Sequence, residues 1–367
     1  MGHAALFLPS LRGGGAERVM VSIANELAAR GHTIDLLPAS PEGTYRQDVS
    51  DRVSLVDLGA FDVLPTETIP ALPGLVRYLR RQNPTTLLST MDNANVVSLL
   101  ARSLSGVDTR VVIRLSNVMK PQSRSSLKGQ ALDFLVSKTY PDADAIVAVS
   151  TDVQTDVEST VGVSADKTNV ILNPVDIETI NRQKAKSLDE PWFDDDDVPV
   201  VLGVGRLNEQ KQFRTLVSAV ANVSADRDCR LVVLGSGPKR KELVSLAEQL
   251  DIENIVRLPG FVENPYVYMA EADVFALPSA WEGCPNVLLE ALACGTPVVA
   301  TDCPGGSAEI LADGKYGLLT PVGDVAKMSD AIHNALDHQI DESVLVDRAS
   351  EFSTTRVVDR YEELIFE

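Results

Sequence analysis

Short apolar runs alternate with helix-period segments along the whole chain, a pattern that belongs to parallel strands joined by crossover helices. Parallel strands are buried on both faces, so each reads as one continuous apolar run. HAALFLP (3–9) is the first. GGGAER follows it and opens RVMVSIANELAARGH, where Val19, Met20, Ile23, Leu27 and Ala28 share one helical face and Gly31 is placed to end the helix. Further strands are expected at TIDLL (33–37), TTLLS (85–89), RVVIR (110–114), AIVAV (145–149) and NVIL (169–172). Together they make one doubly wound α/β domain.

KAKSLDEPWFDDDDV (184–198) interrupts this pattern with polar residues, a proline and four consecutive acids, and reads as a surface linker. The pattern then restarts at VPVVLGVG (198–205), RLVVLGSG (230–237), IVRLPG (255–260), DVFALP (273–278), TPVVAT (296–301) and YGLLT (316–320). At 367 residues the chain is long enough for two domains at about 150 residues each. Two Rossmann-like parallel-sheet domains facing across a cleft are therefore expected, over 1–180 and 181–345. A helical segment at 346–367 is expected to return toward the first. Ligands in such sheets bind beyond the carboxyl ends of the strands.

The charge balance narrows the partners. There are 31 Asp and 21 Glu against 22 Arg and 11 Lys, a net charge of −19. A field of that sign opposes nucleic-acid binding. Asp-rich, Lys-poor acidity on a chain with 44% hydrophobic residues resembles the proteins of salt-loving archaea. Cys229, Cys284, Cys294 and Cys303 show no CxxC spacing and read as structural thiols. The apolar runs are too short to span a bilayer and the first residues do not read as a secretion signal, so a cytoplasmic protein is expected.

Several segments suit a phosphate. GGGAER (13–18) sits at a strand-to-helix turn, where backbone N–H groups are open to an anion. GVGRLNEQKQF (203–213) places Arg206 and Lys211 just past a strand, one a planar fork and the other a point charge. LGSGP (234–238) allows a tight turn beside them. PSAWEGCPNVLLEALACGTPVVATDCPGG then carries Glu282 and Glu290 eight residues apart, the first at a strand end and the second in a helical run.

GGGAER, LNPVD (172–176), GRLNEQK, LGSGP and above all EGCPNVLLEALACGTPVVATD together make the chain resemble the family 4 retaining glycosyltransferases of the GT-B fold, over nearly its full length. The resemblance implies roles. Glu290 would bind the ribose hydroxyls of a nucleotide sugar. Glu282 would bind donor-sugar hydroxyls and favour an oxocarbenium-like transition state. The backbone at Gly283, Cys284, Pro285 and Asn286 would run along the sugar, with Gly14, Gly15, Gly205 and Gly235 also on the donor side. Arg206 and Lys211 would neutralise the departing diphosphate, so that Glu282, Arg206 and Lys211 form the catalytic set, without metal or cofactor. The DDDD run reads as solvated linker. A UDP-sugar is expected ahead of GDP-mannose. Same-face attack is the mechanism implied, with double displacement left open.

One departure stands out: His3, His32, His333 and His338 do not match the first-domain His that many family members place near the donor sugar. The corresponding region is STMDNANVVSLLARS (89–103), where Asn93 and Asn95 offer hydrogen bonds. Glu17, Arg18, Asn93, Asn95, Arg114 and Asn117 are the acceptor-side candidates. The C-P-N run and the DNAN segment look like the subgroup that extends lipid-linked oligosaccharides or polysaccharides. Residues 109–140 carry Arg110, Arg114, Lys120, Arg124, Lys128 and Lys138 against Asp133 alone, which suits an anionic polyprenyl- or dolichyl-phosphate-linked acceptor. Peripheral membrane contact is expected there and through ALPGLVRYLRRQ (71–82), with Leu72, Leu75, Tyr78 and Leu79 on one face beside Arg77, Arg80 and Arg81. The alternative is an epimerase of the same architecture acting without an acceptor. A dinucleotide oxidoreductase would want G-x-G-x-x-G, which is missing.

Overall fold

The computed structural model describes residues 1–59, 68–119, 127–193, 197–338 and 340–366. Lys120, Arg124 and the acids at 194–196 lie outside them, as does the side chain of Lys128. The chain forms two compact units, Met1–Pro174 with Thr354–Glu367, and Val175–Ser353.

The first unit holds strands β1 (His3–Ser10), β2 (Thr33–Ser40), β3 (Ser54–Leu55), β4 (Thr86–Thr90), β5 (Arg110–Leu115), β6 (Ala145–Ala148) and β7 (Thr168–Val170). Its helices are α1 (Gly15–Ala29), α2 (Leu72–Gln82), α3 (Asp92–Ser105), α4 (Leu127–Thr139) and α5 (Thr151–Val161). The sheet runs β3-β2-β1-β4-β5-β6-β7, parallel throughout. Leu6 of β1 is aligned with Leu36 of β2 on one side and Leu88 of β4 on the other. All three are fully buried, each contributing about 1.5–3 kcal/mol of hydrophobic stabilisation. The α1 face read from the sequence is the buried one, and Gly31 follows the helix at φ +92°, a conformation open to glycine.

The second unit comprises α6 (Ile177–Lys184), β8 (Val200–Val204), α7 (Phe213–Ser224), β9 (Arg230–Leu234), α8 (Arg240–Gln249), β10 (Val256–Gly260), α9 (Pro265–Glu271) and β11 (Val274–Leu277). It continues with α10 (Asn286–Cys294), β12 (Val298–Thr301), α11 (Ser307–Ile310), β13 (Leu318–Thr320), α12 (Val325–Asp337) and α13 (Glu342–Ser350). The parallel sheet runs β10-β9-β8-β11-β12-β13. Val201, Leu216, Val220, Leu231 and Ile332 form its core on the side of α7 and α12. On α10, Leu288 to Cys294 are all buried.

Helix α14 (Thr354–Phe366) belongs to the first unit. The unit boundaries fall a few residues from those expected, because α6 packs on α9 and α10, and α13 packs on α10. Polar contacts hold α14 down. Arg30 pairs with Asp359 at 2.7 Å and with Glu362 at 2.5 Å, His32 Nε2 meets Glu362 at 2.7 Å, and Arg110 donates to the Leu364 carbonyl.

Two surface expectations change. On α2, Leu75, Tyr78 and Leu79 are buried, and the helix packs on α3, so that apolar face is already covered and does not serve a lipid surface. Arg80 donates to the carbonyls of Leu104 and Ser105, at the end of α3. Arg114 is fully buried: its guanidinium donates to Thr90 Oγ1 at 3.0 Å, Tyr361 Oη at 3.2 Å and Asn173 Oδ1. Arg114 therefore ties α14 to Asn173 of the LNPVD segment from within and adds nothing to a basic acceptor surface, while half-buried Arg110 is engaged at the Leu364 carbonyl.

Both sheets reverse direction beside their first strand. The chain fills one side of β1 with β2 and β3, then crosses to β4; it fills one side of β8 with β9 and β10, then crosses to β11. The carboxyl ends of β1 and β4, and of β8 and β11, thus frame the two crevices where doubly wound sheets bind ligands.

Candidate active site

At the β8/β11 crevice two glycines let neighbouring strand ends run close together. Gly205 N–H donates to the Leu234 carbonyl at 2.9 Å, and Gly235 N–H to the Gly260 carbonyl at 2.7 Å. Gly235 sits at φ +133°, and a side chain there would collide with the Gly205 carbonyl oxygen. The stem of Lys211 lies against Gly205, and its backbone N–H donates to Asn208 Oδ1 at 3.1 Å.

Across the crevice, Lys211 Nζ donates to Glu282 Oε1 at 2.5 Å, and Ser279 Oγ donates to the same oxygen at 2.6 Å. Among the described residues nothing donates to Oε2. A backbone bond and a side-chain bond join the two loops: Ala280 N–H donates to the Gln210 carbonyl at 2.8 Å, and Gln210 Nε2 to the Trp281 carbonyl at 3.0 Å. The Pro-Gly-Gly turn closes from behind, its Pro304 carbonyl accepting from Glu282 N–H at 2.8 Å and Gly306 N–H donating to the Gly283 carbonyl at 2.7 Å. Glu282 is 6% exposed. A buried charge in that position needs its partner, since an orphaned member of such a pair costs about 3–5 kcal/mol.

Glu290 lies one turn into α10 and is 5% exposed. Pro285 precedes α10 without a side-chain cap, so the first backbone N–H groups, beginning at Asn286, carry the helix's positive end toward the loop of Gly283 and Cys284. Arg206 is exposed, and among the described residues no carboxylate pairs with it. The four cysteines are buried, and none is in a disulfide. Burial pushes the Cys303 thiol up to about 11, with Glu282 adding to it, and the Cys294 thiol up to about 12. Both stay protonated near neutrality, as structural thiols do.

At the β1/β4 crevice, Gly13 has φ +117°, and Gly14 and Gly15 begin α1. A side chain at Gly14 would strike Glu17 Oε2, so the Glu17 carboxylate lies beside the start of the helix. Glu17 is half-buried beside Gly14. Arg18 and Asn117 are half-buried, and Asn117 Oδ1 accepts from the Val118 N–H at 3.0 Å. Asn93 is exposed.

Asn95 is fully buried, and its amide is consumed inside the unit. Its Oδ1 accepts from Ser89 Oγ at 2.8 Å, while Nδ2 donates to the Arg114 carbonyl at 3.1 Å and to Tyr140 Oη at 3.4 Å. Asn95 therefore positions its neighbours instead of meeting an acceptor. Tyr140 Oη donates onward to Asp92 Oδ1 at 2.8 Å. Asp92 and Ser279 went unread in the sequence. Ser279 lies three residues before Glu282 and Asp92 at the head of DNAN, but nothing local shows that either would meet its partner. Among the described residues no group of three or more His, Cys, Asp or Glu is placed to hold a metal ion.

Comparison with known proteins agrees with this architecture. Residues 13–179 match the model for Glycosyltransferase Family 4, and residues 198–338 that for Glycosyl transferases group 1. A Campylobacter jejuni enzyme, N-acetylgalactosamine-N,N'-diacetylbacillosaminyl-diphospho-undecaprenol 4-alpha-N-acetylgalactosaminyltransferase, is 30% identical over 337 residues, 90% of this chain and 89% of its own. The lipopolysaccharide core biosynthesis glycosyltransferase LpsE of Rhizobium meliloti is 28% identical over 360 residues, 96% of each chain. The crystal structure of Anabaena HepE in complex with UDP-glucose superposes with a TM-score of 0.80 at 23% identity, covering 99% of both chains, a likeness of fold. With two parallel-sheet units, a full-length relative at this identity and family models on both halves, the chain belongs to glycosyltransferase family 4 and is a glycosyltransferase of the GT-B fold.

Proposed function

We propose that the protein moves a sugar, with retention, from a nucleoside-diphosphate sugar to a hydroxyl of a saccharide carried on a polyprenyl or dolichyl phosphate. A UDP-sugar is the preferred donor. The observation that carries the reading is the Lys211–Glu282 pair in the β8/β11 crevice, beside the start of α10. Lys211 is the cation nearest the catalytic carboxylate, and Arg206 is exposed on the same loop. The two would take the charge of the departing diphosphate in place of a metal. Glu282, anchored through Oε1, keeps Oε2 for a donor-sugar hydroxyl. Its charge would favour positive character at the anomeric carbon. The N–H groups at the start of α10 suit the diphosphate and Glu290 the ribose. Gly14 and Gly15 would complete the donor side.

The lipid-linked acceptor rests on what the Campylobacter enzyme is named for, together with α4. Phe134 is 61% exposed and Leu135 37% exposed there, next to exposed Lys138. Apolar and cationic side chains side by side suit an anionic lipid surface and peripheral attachment on the cytoplasmic side. Among the described residues no helix is long and apolar enough to cross a membrane.

The test is to offer the purified protein UDP-N-acetylgalactosamine, UDP-N-acetylglucosamine, UDP-glucose, UDP-galactose and GDP-mannose, with and without a polyprenyl-diphosphate-linked disaccharide, in the presence of EDTA. Transfer from one UDP-sugar to the lipid-linked saccharide, with the anomeric configuration kept by NMR, is expected. Conversion of a donor without any acceptor, or transfer that vanishes with EDTA and returns with manganese, would overturn it.

A further inference from the structure

Two groups share Glu282 Oε1, and they differ in what they supply. Lys211 reaches it across the β8/β11 crevice on a flexible four-carbon stem, with further N–H donors for the diphosphate it would meet during transfer. Ser279 is fully buried just past the end of β11, and its hydroxyl, one torsion from the backbone, donates to the same oxygen at 2.6 Å. Lys211 brings charge, and Ser279 brings position.

The backbone that carries this hydroxyl is pinned from both strands beside β11. On one side Thr301, fully buried at the end of β12, donates through Oγ1 to the Ser279 carbonyl at 2.5 Å and to the Leu277 carbonyl at 3.4 Å. Beyond the same strand, the Pro304 carbonyl accepts from Glu282 N–H at 2.8 Å. On the other side the Gln210 carbonyl, in the loop after β8, accepts from Ala280 N–H at 2.8 Å. Backbone bonds alone would close a loop that served only to leave the sheet. Here a buried side chain commits its one donor to a single oxygen of a carboxylate three residues on, while among the described residues nothing donates to Oε2.

We propose that Ser279 is a positioning residue of the transferase: it fixes the orientation of the Glu282 carboxyl so that Oε2 faces the donor sugar, and it acts through Glu282 instead of on the substrate. The proposal rests on the role given to Glu282 above and adds the group that sets its geometry. Placement of this kind matters because a shift of about 1 Å in a catalytic group costs about a hundredfold in rate.

The experiment is a double-mutant cycle over Ser279→Ala and Glu282→Ala. Each protein is given the labelled nucleotide sugar that wild type uses from the panel above, with a polyprenyl-diphosphate-linked disaccharide, and UDP affinity by calorimetry and thermal melting are measured alongside. Ser279→Ala should lower kcat about ten- to a hundredfold, the scale of one hydrogen bond to a charged group. UDP affinity should stay within about twofold of wild type, since UDP carries no sugar for Glu282 to meet, and melting should stay close to wild type. In the Glu282→Ala background the same substitution should change kcat by less than about twofold, because the carboxylate through which Ser279 acts is gone. An equal fall in both backgrounds, or a matching loss of UDP affinity, would mark a merely structural serine and overturns the proposal. If wild type transfers no sugar from any donor, or Glu282→Ala turns over at the wild-type rate, the reading of the site falls and this proposal with it. Wild-type turnover in Ser279→Ala beside a slow Glu282→Ala removes this proposal alone.

Discussion

Glu282 and Lys211 show how far a carboxylate's surroundings decide its use. The pair is buried on both sides, with side-chain exposures of 8% and 14%, and Ser279 shares the same Glu282 oxygen. Removing only the cation leaves an unpaired buried charge, whereas replacing both removes charge and partner together. Lys211→Met should therefore destabilise the second unit by about 3–5 kcal/mol in urea unfolding, and Lys211→Met with Glu282→Gln should regain most of it. Equal losses in the single and double variants would mean that the pair is not coupled. Part of this site was legible in the sequence: two acids eight residues apart and a cation after a strand. What the sequence did not contain was the 71-residue separation across which Lys211 and Glu282 find each other, or Ser279's choice of oxygen.

The elements were legible where burial is continuous. Residues 4–8 of β1, 111–113 of β5 and 298–300 of β12 are runs of buried apolar residues, and parallel strands covered on both faces must look like that. β3, two residues long and only half-buried, carries no such signal. Long-range polar anchors were the least legible, because a hydrogen bond such as Arg114 to Tyr361, 247 residues apart, leaves no periodic trace. Helix α14 depends on several of these. His32 and Arg30 hold the Glu362 carboxyl below its ordinary value of 4.5, His32 contributing most. A carboxylate whose pKa is lower folded than unfolded stabilises above the unfolded value and loses that contribution as pH falls through the folded one. Glu362→Gln should accordingly be less stable than wild type near neutrality, and the difference should close as pH falls below about 4. No gap at neutrality would show that α14 is held by its apolar face of Val357, Val358, Tyr361 and Ile365 alone, and a gap unchanged in acid would show that the Glu362 charge is not what the helix depends on.

At the scale of the whole molecule, a net charge of −19 on 367 residues sets a self-repulsion that salt must screen. If the aspartate excess is an adaptation to concentrated salt, the melting temperature should fall as potassium chloride is lowered from molar concentrations to about 0.1 M, where the screening length grows from about 3 to 10 Å. A melting temperature that is flat or rises on dilution would identify an ordinary acidic protein. Two units of the same grammar, each reversing its strand order beside its first strand, leave a crevice in each, and the Lys211–Glu282 pair stands in that of the second. The account stands on the second unit's crevice performing sugar transfer with Glu282 at its centre. The most direct measurement is transfer of labelled sugar from its UDP donor to a polyprenyl-diphosphate-linked disaccharide, by wild type and by Glu282→Gln under the same conditions, with UDP affinity measured on both. A fall in turnover of about a hundredfold or more with UDP affinity nearly kept is the predicted result. Turnover at the wild-type rate in Glu282→Gln would contradict it.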